Sequence, residues 1–344
     1  MKIAIHHRPE SYSEHWIKYC QRHNIQYKIV NAYDNDIFEQ VADCDAFMWH
    51  FHHHIYKDTL FAKQLIYVIE KQMGKITYPN FDTCWHFDDK VGQKYLLESI
   101  KVPLVPTHIF YSQKKAKEWV QQTTFPKVFK LRCGASSANV LLIRTPKQAN
   151  RIIDNTFNNG IKTYRLFERI KEQFSKYKQD QASIRNVLGI IKLWLFRKSP
   201  SEYYKYHPKE TGYVYFQDFI PNNNSDIRVF VVGNRAIAAK RMNRENDFRA
   251  SGSGILIYDK EQIDENCVKI GFDICQKLNV QSAAFDFLHN ENDDWVITEI
   301  SYCRDNKNKG HTGYWTNDMQ WHKCSNINTC DWIIEDVIAK TADK

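Results

Sequence analysis

The chain has 344 residues, of which 43% are hydrophobic and 26% are charged, and this composition is typical of a folded protein with two or three domains. It excludes a collagen-like, a disordered and a membrane-spanning chain, because the longest apolar run, residues 187–196, is too short to cross a bilayer. The 48 lysines and arginines exceed the 40 acids, which gives a net charge of +8.

The first 87 residues alternate predicted strands and helices. Strands are predicted near residues 2–6, 25–30, 46–49 and 75–77, and helices over 13–23 and 59–71. This alternation predicts a parallel, Rossmann-like sheet, which we take as the first domain, 1–87. It contains no GxGxxG sequence, so a dinucleotide site is not predicted. The HFHHH tract at 50–54 follows the third strand, where ligands gather in such sheets, and substrate contact, a metal site and a polar loop all remain open.

Residues 88–215 form the predicted second domain. It begins with a helix over 88–99, and two apolar strands, 126–131 and 139–143, flank the small-residue loop 133–138. Lys130 ends the first of these strands, and small residues allow backbone N–H groups to approach phosphate oxygens. A phosphate-binding loop and an ordinary hairpin turn both fit, although the loop is not a GxxxxGK[ST] P-loop.

The whole charge excess lies in one basic insertion, residues 162–209, which holds twelve basic and four acidic residues. Because the rest of the chain is neutral overall, we do not predict a nucleic-acid partner. Within the insertion, residues 187–198 join an apolar stretch to basic residues. This pattern is typical of a helix on a membrane surface, and equally of a packed helix with one solvated face.

The third predicted domain, 216–344, is mainly β. Strands are predicted near 213–220, 226–233 and 234–240, with a tight turn at Gly233, and a helix over 261–278. A second hairpin pairs 281–288 with 295–301, around a loop centred near residues 292 and 293.

This second hairpin predicts a pair of facing acids. Its symmetry sets Asp286 opposite Glu299, and Leu288 opposite Ile297. Two carboxylates at that separation repel each other unless one is protonated or a divalent cation lies between them. A slipped register with one solvated acid is the alternative.

A cationic cluster accompanies the preceding turn. Its members are Arg228, Lys240, Arg241, Arg244 and Arg249. Such cations suit a phosphoryl group or a substrate carboxylate, and a solvated basic edge is the alternative.

The order of these segments resembles the ATP-grasp superfamily, nearest to its glutathione synthetase and ribosomal-protein glutamate ligase branch, over roughly residues 78–301. The matching segments are DDK at 88–90, VFK ending at Lys130, QDFIPNNNSDIRVFVVG at 217–233, KRMNRENDFRASGSG at 240–254, AFDF at 284–287 and TEIS at 298–301. The resemblance implies a mixed α/β and α+β protein. A Rossmann-like pre-ATP-grasp domain would precede a two-subdomain ATP-grasp fold that holds ATP between its subdomains.

The resemblance also implies roles for individual residues. The residues it assigns to the nucleotide are Lys90, Lys130, Ser136, Gln217, Asp218, Phe219, Ile220, Asp226 and Lys240. Arg228, Arg241 and Arg249 would act in catalysis by facing the γ-phosphate or an acyl-phosphate. Asp286, Glu299 and Ser301 would hold Mg²⁺. The family usually carries asparagine where Ser301 stands, and more glycines in the phosphate loop than Gly134 alone.

The chemistry implied by the resemblance is an ADP-forming, ATP-dependent ligation of a carboxylic acid to an amine through an acyl-phosphate. A kinase on the same fold and a non-catalytic ATP-binding protein are the alternatives. Residues 299–322 further resemble ATP-grasp proteins of bacterial capsule or O-antigen gene clusters. That resemblance implies a sugar acid of a surface polysaccharide and an amino acid as substrates.

The location and assembly follow from composition and resemblance. Nine cysteines without a CxxC pair, in a chain without a secretory signal, predict reduced thiols and a cytoplasmic protein. The segment 187–198 leaves peripheral contact with the inner face of the membrane open. Homodimers are common in the superfamily, and the sequence leaves that open as well.

Overall fold

The computed structural model describes residues 1–134, 139–162, 206–244, 252–304 and 310–343, with five isolated positions between 183 and 192. These residues pack into two compact units. Unit 1 comprises Met1–His52, Phe61–Val105 and Ile220–Lys344, and unit 2 comprises His53–Leu60 and Pro106–Phe219. The division at residues 87 and 215 stays a prediction. Ser136, Arg249 and most of the basic insertion lie outside the described residues.

The first part of unit 1 is a parallel sheet. Its strands are β1 (Lys2–His6), β2 (Gln26–Val30), β3 (Ala46–Met48) and β4 (Ile76–Tyr78), in the order β2-β1-β3-β4. The helices along this stretch are α1 (Tyr12–Arg22), α2 (Ile37–Ala42), α3 (Tyr56–Tyr67), which continues as the π-helical segment Val68–Gln72, α4 (Phe81–Cys84) and α5 (Lys90–Ser99). The predicted Rossmann-like sheet is therefore confirmed. Its central strands are short apolar runs because helices cover both faces of such a sheet.

The second part of unit 1 is a large antiparallel sheet. Its strands are β9 (Ser225–Val232), β10 (Arg235–Asn243), β11 (Gly252–Ile257), β12 (Ser282–His289), β13 (Trp295–Ser301), β14 (Gly313–Thr316) and β15 (Trp321–Lys323). They follow the order β13-β12-β9-β10-β14-β15, and β11 also pairs with β10. The helices are the 3₁₀ turn Lys260–Gln262, α8 (Glu265–Leu278) and α9 (Thr329–Ala342). Helix α8 begins later than predicted because the Asp264 side chain caps it by accepting the Asn266 N–H.

The two faces of the large sheet bury different cores. Phe230 and Val232 join the core of the parallel sheet, together with α9. Val229 and Val231 point to the other face, where α8 packs. This alternation follows from the two-residue period of a strand, and both faces of β9 are apolar because both are covered.

The β12–β13 hairpin departs in register from its prediction. Asp286 does lie opposite Glu299, as predicted, but Ile297 faces Phe287 and not Leu288. Thr298 is an extra residue that interrupts the ladder, and its hydroxyl donates to the backbone carbonyl of Asp286 at 3.1 Å. A β-bulge shifts the register by one residue, so it is the bulge that brings the two acids opposite each other.

Unit 2 contains a smaller antiparallel sheet. Its strands are β5 (Thr107–Phe110), β6 (Lys127–Lys130), β7 (Val140–Ile143) and β8 (Val214–Asp218), in the order β5-β8-β6-β7. Helices α6 (Gln113–Gln122) and α7 (Pro146–Asn158) cover its apolar face. Across both units, no helix of the described residues has the length and apolarity needed to cross a membrane.

Candidate active site

Charged side chains of β9, β10 and β12 form a cluster on one face of the large sheet. Arg228 binds Asp286 with two hydrogen bonds, Nε to Oδ1 at 2.7 Å and Nη2 to Oδ2 at 2.8 Å. Arg241 lies 2.9 Å from Oδ2 of the same carboxylate and donates through Nε to Asp226 Oδ1 at 2.8 Å. Arg228 is opposite Asp286 in the ladder, and Arg241 is opposite Asp226, so strand pairing itself creates these ion pairs.

Burial and pairing act in opposite directions on these acids. Burial alone would raise the pKa of Asp286, but the charges of Arg228 and Arg241 outweigh it and hold that pKa well below its ordinary value. For Asp226, which is 1% exposed, burial outweighs Arg241 and raises the pKa. Burial would lower the pKa of Arg241, yet its two carboxylate partners raise it, so the guanidinium stays charged. The cluster thus presents an ionised Asp286 at neutral pH.

Glu299 is the more accessible acid of the facing pair. Its side chain is 38% exposed, and Oε1 lies 3.2 Å from Nζ of Lys90, whose own side chain is 7% exposed. Lys90 is the first residue of α5, which Asp89 caps by accepting the Gly92 N–H at 3.0 Å. The start of α5 therefore delivers a buried cation to Glu299.

The carboxylates of Asp286 and Glu299 suit Mg²⁺, on the condition that Arg228 leaves Asp286. Two opposed carboxylates are the ligands that Mg²⁺ takes beside phosphates, and Glu299 is open to solvent on part of its surface. Both oxygens of Asp286, however, already accept guanidinium hydrogen bonds. A metal ion would have to replace Arg228 at Asp286. Ser301, the third predicted ligand, donates its hydroxyl to the carbonyl of Cys303 at 2.8 Å.

Two of the residues predicted to bind the nucleotide in unit 2, Gln217 and Asp218, each accept a hydrogen bond from a lysine. Lys130 is 9% exposed and donates to Gln217 Oε1 at 2.6 Å, while Lys127 donates to Asp218 Oδ1 at 2.6 Å. Lys127 is an addition that the sequence did not single out. Strand pairing explains it, because Lys127 faces Asp218 across β6 and β8. The boundary between the two units falls directly after Phe219, at Ile220.

Lys240 is not brought into the cluster. It neighbours Arg241 on β10, so its side chain leaves from the opposite face of the strand, and it donates to Gln262 Oε1 at 3.4 Å. Its nucleotide contact stays a prediction, as do the roles of Ser136 and Arg249.

The sequence analysis did not identify a second group of residues whose side chains could bind a metal ion. In unit 2, one ligand atom each of Cys133, His207 and Glu210 lie within 4.8 Å of one another. The HxxE spacing of the last two was the available signal. Glu210 is already engaged, since it accepts the Tyr213 hydroxyl at 2.9 Å and lies 3.8 Å from Arg132 Nε. A neighbouring guanidinium disfavours a cation there.

Comparison with known proteins agrees with this geometry. Residues 209–312 match the family model described as a RimK-like ATP-grasp domain. A RimK domain ATP-grasp protein from Sphaerobacter thermophilus superposes with a TM-score of 0.51 at 12% identity, over 87% of this chain and 90% of that chain. The ATP-grasp ligase PsnB, solved with a minimal precursor, gives a TM-score of 0.55 at 11% identity over 98% of both chains.

A further neighbour was solved with nucleotide and metal. The biotin carboxylase domain dimer of Hydrogenobacter thermophilus 2-oxoglutarate carboxylase, in complex with MgADP, gives a TM-score of 0.56 at 13% identity, over 98% of this chain and 69% of that chain. No curated protein matches the chain in sequence. The predicted ATP-grasp fold is thereby confirmed, and one neighbour with this fold was solved with MgADP. Residues 209–312 of this chain match a RimK-like ATP-grasp domain, and the chain has the ATP-grasp fold.

Proposed function

We propose that the protein is an ATP-dependent carboxylate–amine ligase that works through an acyl-phosphate. One observation carries the proposal: the acids Asp286 and Glu299 face each other on adjacent strands, with Arg228 and Arg241 on the same sheet face. Facing acids suit a metal ion beside phosphates, and the arginines suit the charge that develops on a transferring phosphoryl group.

The reaction needs no nucleophilic side chain. A carboxylate oxygen of the acid substrate takes the γ-phosphoryl group and ADP leaves. The amine nitrogen then attacks the acyl carbon, phosphate leaves with the bonding electrons, and the amine gives up a proton to the medium. Mg²⁺, when bound, neutralises phosphate charge.

The protein's side chains contribute to this reaction by positioning the reacting groups and by supplying charge. Arg228 has a side chain that is 37% exposed, which allows it to turn from Asp286 to an anionic phosphoryl group. Arg241 is held at both carboxylates and stays in place. Lys90 fixes Glu299.

The finer proposal names a sugar acid and an amino acid as the substrates, in the synthesis of a bacterial surface polysaccharide. It is supported only by the resemblance of residues 299–322. Within that stretch, Trp315 is 1% exposed and packs in the sheet core, so it supports the fold and offers no platform for a sugar. Membrane contact through 187–198 and a homodimer remain proposals, which liposome co-sedimentation and light scattering test.

The test of the function is Mg²⁺-dependent ADP formation in a screen of uronic acids against amino acids. We expect Asp286→Asn and Lys130→Ala to lower it by about a hundredfold or more, because the first removes a proposed Mg²⁺ ligand and the second a cation proposed to contact phosphate oxygens. The controls are Asp294→Asn and Lys147→Ala, which change an exposed acid and an exposed lysine and should leave the rate unchanged.

Each other outcome rejects the ligase. A phosphorylated product that retains its phosphate identifies a kinase. ATP binding without ADP formation for any substrate pair identifies a non-catalytic ATP-binding protein.

A further inference from the structure

The parallel sheet of unit 1 reverses its winding between β1 and β3. In the order β2-β1-β3-β4, the chain moves from β1 to one edge and then from β3 to the other. Open α/β sheets bind ligands in the crevice that such a reversal leaves at the carboxyl ends of the strands. The loop after β1, residues 7–11, and the start of the loop after β3, residues 49–52, are in contact there, with Ser11 Oγ 3.0 Å from His50 Nδ1.

His50, on the loop after β3, carries an unsatisfied donor. Its ring is 7% exposed and stacks on Tyr12 with centroids 3.9 Å apart. Nδ1 accepts the backbone N–H of Tyr12 at 3.4 Å and lies 3.0 Å from Ser11 Oγ. Burial, with smaller effects of His52 and Arg8, lowers the pKa of His50 well below its ordinary value, so the ring is neutral and its proton is on Nε2.

This Nε2–H finds no hydrogen-bond acceptor within the described part of the chain. A buried donor without a partner is costly, and its persistence in a fold calls for an explanation. A metal ion does not supply one, because Nε2 carries the proton and Nδ1 already accepts a hydrogen bond. An acceptor oxygen does.

Arg8, on the loop after β1, adds a cation that has no counterion among the described residues. Ser13 fixes the backbone of this loop, since its hydroxyl accepts the Arg8 N–H and donates to the Arg8 carbonyl, both at 3.1 Å. The guanidinium itself is half-buried and makes no hydrogen bond or ion pair with any residue that the structure describes. A half-buried guanidinium that none of the described residues pairs is suited to bind an anion.

The crevice connects to the charge cluster of the candidate active site. Tyr12 ties the two loops to the end of β13, because its hydroxyl donates to the Arg304 carbonyl at 2.6 Å and accepts the Arg304 N–H at 3.0 Å. The Arg304 guanidinium lies 6.0 Å from the ring of Phe230. Phe230 is two residues from Arg228 on the same face of β9.

We propose that Arg8 and His50 form a binding site for a substrate carboxylate at the carboxyl edge of the parallel sheet, between β1 and β3. A carboxylate accepts from both groups, and its single charge balances the single guanidinium, whereas a phosphate dianion would bring one negative charge too many. The inference rests on the proposed function in one respect: the carboxylate belongs to one of the two substrates of the ligation.

The test is a titration of ¹⁵N-histidine-labelled full-length protein without nucleotide. The probes are glucuronate and glutarate, with glucose and glutaramide, which carry no carboxylate, as uncharged counterparts and inorganic phosphate as the alternative anion. We expect a saturable shift of the His50 Nε2–H resonance with at least one of the two acids and none with its uncharged counterpart. His50→Gln identifies the resonance by its loss.

Arg8→Gln should weaken that binding by about ten- to hundredfold, as expected for the loss of one charged hydrogen-bonding partner. The matched control is Arg151→Gln, which removes an exposed arginine and should change nothing. If Arg8→Gln does not fold, Arg8→Lys keeps the charge without the forked donor and should weaken binding less. The proposal is overturned if the His50 Nε2–H resonance does not shift with either acid, shifts equally with the uncharged probes, or shifts with phosphate alone.

Failure here is distinct from failure of the ligase. The titration uses neither ATP nor turnover, so its failure removes the carboxylate site and leaves ADP formation to be judged separately. A saturable shift in a protein that forms no ADP would keep the site and reject the ligase.

Discussion

Arg228 occupies the carboxylate that the family resemblance assigns to a metal ion. With Lys90, Arg228 and Arg241 set against three acids, the cluster is electrically balanced before any ligand binds. A phosphate–metal pair can enter such a site without a net change in charge, since the arginine moves to the phosphate as the cation moves to the acid.

The carboxyl of Asp286 predicts a pH-dependent stability. Its pKa lies below the ordinary value of about 4, because the two arginines outweigh burial. As the pH falls, the unfolded chain therefore takes up this proton before the native one does. We expect the difference in unfolding free energy between the parent protein and Asp286→Asn to stay constant above about pH 5 and to shrink below about pH 4.

Urea denaturation across that pH range measures the difference. Asp294→Asn, at an exposed acid, should show no such pH dependence relative to the parent. A difference for Asp286→Asn that remains unchanged down to about pH 3 would contradict the depressed pKa.

At this scale the sequence predicted the facing acids but not their partners. Asp286 and Glu299 are joined by a short hairpin, and counting from its loop paired them only because the bulge at Thr298 offsets the one-residue error in the predicted register. Arg228 lies 58 residues from Asp286, and nothing in either segment says that β9 and β12 are neighbours. The bulge at Thr298 was equally hidden, because its extra residue has no distinctive type.

Among the elements, the β9–β10 hairpin depends on the glycine in its turn. Val232 pairs with Arg235, which leaves Gly233 and Asn234 as the two turn residues. Gly233 has a φ of +55°, and a side chain there would overlap the carboxylate of Asp336 on α9. The turn thus lets the last helix approach the sheet.

Two glycine substitutions separate backbone strain from that close approach. Gly254 has a φ of +83°, and no described residue lies within 4 Å of the place of its missing Cβ, so Gly254→Ala should cost about 1–2 kcal/mol of stability from strain alone. Gly233→Ala has the same kind of strain and must also displace Asp336, which adds about 1–3 kcal/mol. Chemical denaturation of both variants measures the difference, and equal losses would exclude a clash.

The elements that the sequence predicted are those with a clear period or turn. The parallel strands, the Gly233 turn and α8 have such signals. Strands β14 and β15 are short and bring no alternation, so only their neighbours on the sheet identify them. Helix α9 was not predicted, although Asn328 caps it by accepting the Cys330 N–H and its buried residues follow a helical spacing.

For the whole molecule, Arg235 is the main polar link between the large sheet and α9. It binds Glu335 at 2.6 Å, Asp336 at 3.0 Å and the Trp332 carbonyl at 3.2 Å, and its side chain is 22% exposed. Arg22 of α1 also reaches α9, at Asp331, but its side chain is 57% exposed.

Arg235 and Arg22 can be compared directly, because both form ion pairs with α9 and differ in exposure. Arg235→Ala should lower the free energy of unfolding by about 2–3 kcal/mol, because it strands two carboxylates near an apolar core. Arg22→Ala should cost about 1 kcal/mol or less, as is usual for an exposed ion pair. Thermal and urea unfolding compare them, and similar losses would show that α9 is held by its apolar face alone.

The division into units was beyond sequence reasoning. Unit 1 is assembled from three separate stretches of chain, and the packing of residues near position 330 against residues near position 16 leaves no local trace. The fold was indicated only by the resemblance of many segments, in the same order along the chain, to the ATP-grasp superfamily.

The position of α9 has a consequence for the way the protein is made. Trp332, Ile333 and Val337 lie in the same core as Ile3, Phe47 and the other residues of the first sheet. On a chain growing at the ribosome, the part of this core that α9 covers therefore stays uncovered until residues 329–342 emerge. We therefore expect the core of unit 1 to close only after α9 has been synthesised, and apolar surface left exposed until then is of the kind that chaperones bind.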